Sequence, residues 1–395
     1  MIPASAAHSK GNTKFRRKDP VSHMRRLVGF FLCISLLIPC LSFSASAAPG
    51  VSGECACLYL PQLGAAVVEK NAHRRHPMAS TTKIMTALVA LENAALDEVV
   101  TVTQEAVGVE GSSIYLACGE TPRMEDLLYA LLLESANDAA AAIAIHVGGS
   151  ISSFAQMMND KAKELHLEDT HFKNPHGLSD PEHYTTAYDL ARITAAAMEN
   201  PLFREIVATK HKVIRVKGGT EARTLSNHNR LLRSYEDCVG VKTGFTKISG
   251  RCLVSAAERD GMLLIAVTLD APDDWRDHTA LLDYGFSLYR GRVLDDCKGL
   301  SISLPVVGGV SDTVYISARN FPAVVLRKEE DDPELSLEVN HFAVAPIREG
   351  QVLGVVRYKR GTETIATIPL LAENSVAPKA VRHHFWDKIK NFLNL

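Results

Sequence analysis

The 395-residue sequence has no excess of charge of either sign: 43 Lys and Arg stand against 45 Asp and Glu, a formal net charge of −2. No basic block breaks that balance, which sets aside readings that need one, nucleic-acid binding above all. Metal-site spacings are missing too. The eight cysteines include no Cys-x-x-Cys pair and no zinc spacing, and no His-Glu-x-x-His sets two imidazoles on one helix face. His171, His176 and His183 therefore read as structural or substrate-rim residues, and no metal or other cofactor is expected. The apolar run at 27–41 is too short to span a bilayer comfortably.

That run instead has the length of a signal-peptide core. It follows a polar, basic stretch with Arg16, Arg17, Lys18, Arg25 and Arg26, and it precedes the small residues Ala45-Ser46-Ala47-Ala48. Residues 1–47 are read as a leader, with the mature chain beginning near Ala48 and the protein exported. Met24-Arg25-Arg26 would make a more ordinary start than Met1. Cys33 and Cys40 leave with the leader, and Cys55, Cys57, Cys118, Cys238, Cys252 and Cys297 remain. Cys55-Ala56-Cys57 alternates in a strand-like run and reads as two buried small residues. Outside the cytoplasm a disulfide is permitted, but the sequence assigns none.

The stretch that organises the rest is Pro77-Met78-Ala79-Ser80-Thr81-Thr82-Lys83 and the apolar run after it, Ile84 through Leu91. Residues three apart on a helix share a face, with Cβ atoms about 5–6 Å apart, so Ser80 and Lys83 should point side by side. A helix apolar almost all round lies in a core. There desolvation can lower a lysine pKa by up to ~3–5 units, enough for a neutral amine to take the serine proton. By itself Ser-x-x-Lys is a weak signal, because a capping serine and a surface lysine give the same pattern.

Two strands are predicted within 53–70, joined at Pro61-Gln62. Thr121-Pro122 reads as a helix N-cap with proline at the first position. An apolar helix follows at 124–134, broken at Ser135-Ala136-Asn137 and resumed at 138–146 before Gly148-Gly149. Further helices are predicted at 154–167, 186–198 and 277–288. Three antiparallel strands at 239–245, 251–257 and 262–269 put Lys242-Thr243-Gly244 on the outermost one, whose edge suits an extended peptide. Residues 299–371 hold six strand-like runs, at 300–307, 313–317, 323–327, 335–339, 352–358 and 364–371, a β-sandwich pattern without catalytic groups. In the tail at 381–395, Phe385, Ile389, Phe392 and Leu393 share a helical face beside Trp386. That is a short basic amphipathic helix suited to a membrane interface.

Ser-x-x-Lys (Ser80, Lys83), Ser-x-Asn (Ser135, Asn137) and Lys-Thr-Gly (Lys242, Thr243, Gly244) each occur once, in that order. The trio is the signature of penicillin-binding proteins and serine β-lactamases. With the loop Asn174-Pro175-His176-Gly177-Leu178 and His183-Tyr184-Thr185-Thr186, the chain from about residue 54 onward resembles the low-molecular-mass penicillin-binding proteins of the D-alanyl-D-alanine carboxypeptidase family. The resemblance implies an α+β fold: a transpeptidase-like domain at 48–292, a β-sandwich domain at 293–376 and an anchor helix at 377–395 on the outer face of the cytoplasmic membrane. It implies removal of the terminal D-alanine from peptidoglycan stem pentapeptides, with β-lactams as covalent inhibitors. Carried onto this sequence, Ser80 is the nucleophile, Lys83 its base and Ser135 the proton relay. Asn137 holds the substrate amide, Lys242 keeps the site electropositive and Thr243 binds the terminal carboxylate. Gly244 leaves the strand edge open, and the backbone N–H groups of Ser80 and Phe245 form the oxyanion hole. Relatives often carry His where Phe245 stands, and a backbone donor tolerates that change. Arg276 is a further cation near the carboxylate that carries no assignment.

Two rivals share the trio. A β-lactamase needs a deacylating carboxylate, as in Glu-x-x-Leu-Asn, and none stands between Asn137 and Lys242. A catalytically idle penicillin-binding wall protein would keep the fold without the chemistry, yet every named side chain is present.

Overall fold

The computed structural model describes residues 48–218 and 222–380. The leader expected at 1–47 and the amphipathic helix expected at 381–395 lie outside them. β1 (Cys55–Leu60) and β2 (Ala65–Lys70) form a hairpin around the 3₁₀ turn Pro61–Leu63. There Gly64 takes the left-handed conformation (φ 61°) that closes the turn. Five helices then follow: α1 (Lys83–Asn93), α2 (Met124–Leu133), α3 (Asn137–Gly148), α4 (Ile151–Glu164) and α5 (Ala187–Met198). Next come α6 (Pro201–Ala208), the hairpin β3 (His211–Arg215) and β4 (Ala222–Ser226), and the short α7 (Leu231–Ser234). β5 (Cys238–Thr246), β6 (Gly250–Arg259), β7 (Met262–Leu269) and α8 (Asp274–Leu288) complete this part.

The strands assemble into one five-stranded antiparallel sheet in the order β2-β1-β7-β6-β5. β1 and β7 are buried along their whole length because both sheet faces are covered. On one face Leu58, Leu60 and Leu264 pack on Leu281, Leu282 and Phe286 of α8. On the other, Val254 and Ile265 meet the helical cluster through Met85, Leu88, Leu128 and Ile193. β5 is an edge strand, so its outer side faces the helices and not a sixth strand.

The second part is all-β. β8 (Tyr289–Val293) pairs with β11 (Ala323–Arg327). β9 (Ser301–Val307), β10 (Thr313–Ser317), β12 (Glu334–Val339), β13 (Ala343–Val344), β14 (Val352–Arg360) and β15 (Glu363–Ala372) form a six-stranded sheet. Its order is β12-β14-β15-β10-β9-β13.

Thr121 and Pro122 do not start a helix. Thr121 bridges Lys217 and Pro122 O accepts from Val100 N, so both lie in extended chain, and α2 begins at Met124 after Arg123. The helix predicted at 154–167 runs Ile151–Glu164, because the Ser150 hydroxyl caps Ser153 N. Cys55 and Cys57 are buried in β1 as expected, and the six cysteines among the described residues are free.

His278 of α8 is fully buried between Ser255 of β6 (2.6 Å) and Thr268 of β7 (2.9 Å). Burial holds its pKa down to about 3 from 6.5, and burial likewise holds His176 at about 3 and His183 at about 4. These groups are depressed on folding, so their contribution to stability is complete above pH 6.5. It falls as pH drops from there toward 4, where only the unfolded chain takes up protons. With all three counted, the limiting slope is about 4 kcal/mol per pH unit. The urea midpoint should therefore drop sharply between pH 7 and pH 5; an unchanged midpoint would contradict neutral burial of these rings.

Candidate active site

Ser80 lies in a 3₁₀ turn, Ala79–Thr82, which runs directly into α1 at Lys83. In 3₁₀ geometry side chains three apart eclipse, and Ser80 Oγ stands 3.0 Å from Lys83 Nζ. Lys83 is fully buried. Its Nζ also lies 2.6 Å from Asn137 Oδ1 and 2.6 Å from the His176 carbonyl, two groups that can only accept. A neutral amine has two N–H donors and one lone pair. In that form the two acceptors take the donors, and the lone pair is left for the Ser80 hydroxyl. Desolvation, and next the charge of Lys242, hold the Lys83 pKa well below the ordinary lysine value.

The turn is clamped from behind. Lys173 N donates to His183 Nδ1 at 3.0 Å, which puts the ring proton on Nε2, facing Thr82 Oγ1 at 2.7 Å. Thr82 Oγ1 donates in turn to Ala79 O at 2.7 Å. The Asn174 side chain accepts from Gly177 N at 2.7 Å and folds the 174–178 loop so that Gly177 lies flat on the Ala79–Ser80 peptide. Ala79 itself is left-handed, with φ 47°.

Ser135 lies in the break between α2 and α3, and Asn137 is the first residue of α3. Ser135 is nearly buried and sits at φ 60°, a strained position for a non-glycine residue. Asn137 spans the cleft, donating its amide to the Glu110 carbonyl while its oxygen meets Lys83. The following Asp138 accepts from Ser113 Oγ at 2.6 Å and Leu116 N at 2.9 Å, which fixes the loop over the site.

The third wall is β5. Lys242 is buried, donates to Thr243 O at 3.0 Å, and is lowered to about 7 by desolvation, against which the Glu134 carboxylate works. A Cβ on Gly244 would stand 3.0 Å from Ser80 N and 3.1 Å from Thr81 N, so a side chain there would press on the backbone of the nucleophile's turn. Ser80, Ser135, Thr243, Gly244 and Phe245 line one cleft of about 380 Å³. Lys83 and Lys242 lie behind its wall. Ser80, Lys83, Ser135, Asn137, Lys242, Thr243, Gly244 and Phe245 thus come to one place.

Six residues lining the cleft escaped the sequence: Ser112, His228, Arg230, Arg251, Asp274 and Trp275. Arg230, Arg251 and Trp275 line it, with the two guanidinium carbons each 5.9 Å from the indole centroid. Arg251 makes a forked ion pair with Asp274 at 2.9 Å. Arg276 is 82% exposed, pairs with Asp273 at 3.3 Å and is not among the residues lining the cleft. No fixed spacing joins 230, 251 and 275. The β6 alternation would place Arg251 opposite Phe245, as the register does.

An alcohol against a desolvated amine, opening beside a cationic strand edge, defines a serine acyl-transfer enzyme. The D-alanyl-D-alanine carboxypeptidase family model matches residues 43–273, and that for the C-terminal domain of penicillin-binding protein 5 matches residues 298–378. The chain is 31% identical over 325 residues to the D-alanyl-D-alanine carboxypeptidase DacF of Bacillus subtilis, covering 79% of this chain and 83% of that one. Among solved structures it is similar to the D-alanyl-D-alanine carboxypeptidase DacD from Francisella tularensis, with a TM-score of 0.59, 26% identity and coverage of 84% and 95%. It is also similar to the Streptomyces K15 DD-transpeptidase, with a TM-score of 0.58, 35% identity and coverage of 61% and 99%. The chain belongs to the D-alanyl-D-alanine carboxypeptidase family, within the low-molecular-mass penicillin-binding proteins.

Proposed function

We infer that the protein removes the terminal D-alanine from peptidoglycan stem pentapeptides through an acyl-enzyme on Ser80. The observation that carries this is the 3.0 Å contact of Ser80 Oγ with the fully buried Lys83 Nζ, whose pKa desolvation holds well below the ordinary lysine value and whose two other contacts, Asn137 Oδ1 and the His176 carbonyl, can take both N–H donors of the neutral amine. Lys83 takes the Ser80 proton as Oγ attacks the penultimate D-alanine carbonyl. The N–H groups of Ser80 and Phe245 hold the oxyanion, an element worth about 10²–10³ in rate per donor. Ser135 Oγ passes a proton to the departing amine, and water then releases the shortened peptide. Asn137 orients the substrate amide. Thr243 Oγ1 and Arg230 receive the terminal carboxylate, in the field of Lys242.

β-Lactams acylate the same serine. Residues 48–288 form the catalytic part and 289–379 a β-sandwich domain, in place of the expected boundaries 292/293 and 376, because β8 pairs with β11 and Ala377 and Lys379 bond to Val310 and Gly308. The leader at 1–47 directs export, and the tail at 381–395 rests on the outer face of the cytoplasmic membrane, supported by the apolar residues it spaces along one helical face and by Trp386.

Purified protein incubated with a peptide ending in D-alanyl-D-alanine should release D-alanine, and Ser80→Ala should release none above background. Hydrolysis of penicillin without D-alanine release would make it a β-lactamase. Absence of both activities would make it a binder.

A further inference from the structure

Glu54, His76 and Asp270 meet outside the Ser80 cleft, at the ends of β1 and β7. One ligand atom from each lies within 4.8 Å of the other two. His76 is four residues ahead of the nucleophile, and its backbone is fixed by a two-way bridge to Thr185, with N–H to O distances of 2.8 and 3.1 Å. Its imidazole is more than nine-tenths buried and cannot turn freely. Nδ1 lies 2.8 Å from the Pro77 carbonyl, an acceptor, so Nδ1 carries the ring proton.

The consequence falls on Nε2. In the neutral ring it is a bare lone pair, and it faces Glu54 Oε2 at 3.4 Å, another acceptor. It has no hydrogen-bond donor among the described residues. Asp270 brings a second carboxylate to the same point. The backbone keeps it there, because Glu54 N donates to Asp270 O at 3.0 Å and Gly250 leaves room for the Asp270 side chain, where a Cβ would stand 2.0 Å from Oδ1. Arg74 pairs with the other Glu54 oxygen, Oε1, and leaves Oε2 facing His76. One imidazole lone pair and two carboxylates converging with no donor between them form a ligand set for a divalent cation of zinc type. The fixed Nδ1–H to carbonyl contact is the outer hydrogen bond that orients such a ligand.

We propose that Glu54, His76 and Asp270 bind one Zn²⁺-class divalent cation, which ties the segment leading into Ser80 to the ends of β1 and β7. The site is structural. It stands apart from the acyl-transfer chemistry and does not depend on the substrate assigned above.

The test uses the untagged full chain, stripped of metal with a chelator and titrated with ZnCl₂ by calorimetry and by thermal melting. One Zn²⁺ per chain is expected, with Tm raised by several degrees at saturation. His76→Gln keeps a donor for Pro77 O, and Asp270→Asn tolerates the left-handed backbone at that residue (φ 49°). Each should lose at least about 10-fold in affinity and most of the Tm shift. Cooperative melting of both metal-free variants near the wild-type Tm would establish that they fold. Absence of stoichiometric binding by the wild type, or equal binding by both variants, would overturn the proposal and leave His76 paired with Glu54 alone.

Discussion

Lys83→Arg should slow acylation of Ser80 by benzylpenicillin by about 10²–10⁴-fold, the usual contribution of a positioned general base. Arginine keeps the positive charge and can still donate to Asn137 Oδ1 and the His176 carbonyl. It cannot give up its proton in a protein, so it has no lone pair to offer the hydroxyl. Stability should fall as well, because a permanent charge would replace a fully buried group whose pKa desolvation holds well below the ordinary lysine value. A variant that folds and acylates within tenfold of wild type would show that Lys83 only fills space and that the Ser80 proton leaves by another route. The rate constant of penicillin labelling, with a melt as control, decides the matter.

Gly177→Ala should remove both stability and activity. A Cβ at 177 would stand 2.0 Å from Ala79 O, 2.4 Å from its carbonyl carbon and 2.9 Å from Ser80 N, and the residue's φ is +92°. These are backbone atoms of the nucleophile's own turn and cannot swing away like the end of a side chain. Overpacking together with left-handed strain should cost about 3–5 kcal/mol. A displacement of about 1 Å at Ser80 would cost on the order of 10²-fold in rate. Gly64→Ala is the control. It shares a positive φ (61°) but would meet nothing within 4 Å, so it should cost only about 1–2 kcal/mol and leave acylation intact. Equal behaviour of the two variants would mean that the 174–178 loop does not press on the turn.

The legible part of the molecule was the part whose geometry is local. Ser80 and Lys83 are one turn apart in any helical conformation. Asp260-Gly261 and the alternating runs on either side of it set out the β6–β7 hairpin, and the run at 239–245 supplies β5, which pairs with β6 and holds Lys242 and Thr243 at the sheet edge. The strands of the second domain were marked by the Gly, Pro and acidic residues between them. Thr121-Pro122 misled because a capping pair and an extended connector share a sequence, and the bridge to Lys217, 96 residues away, decided between them. α6 was missed although Asn200-Pro201 announces it; the Asn200 side chain accepts from Leu202 N and Phe203 N at 2.9 and 3.3 Å. Arg230, Arg251 and Trp275 could not be read, since they meet only when α7, β6 and α8 are folded together. The His176 carbonyl could not be read either. A main-chain oxygen has no letter in a sequence, yet it is one of the two acceptors that turn the Lys83 lone pair toward Ser80.

The most direct measurement is the pH profile of the second-order rate constant for penicillin acylation, with the modified residue located by peptide mass. In the free enzyme the base must be uncharged and Lys242 charged. The rate should therefore rise through a limb far below the 10.5 of an ordinary lysine and fall near pH 7 as Lys242 discharges, with the label on Ser80. A rate that climbs without a break toward pH 10.5, or a label on any other residue, would contradict a neutral Lys83 as the group that takes the Ser80 proton.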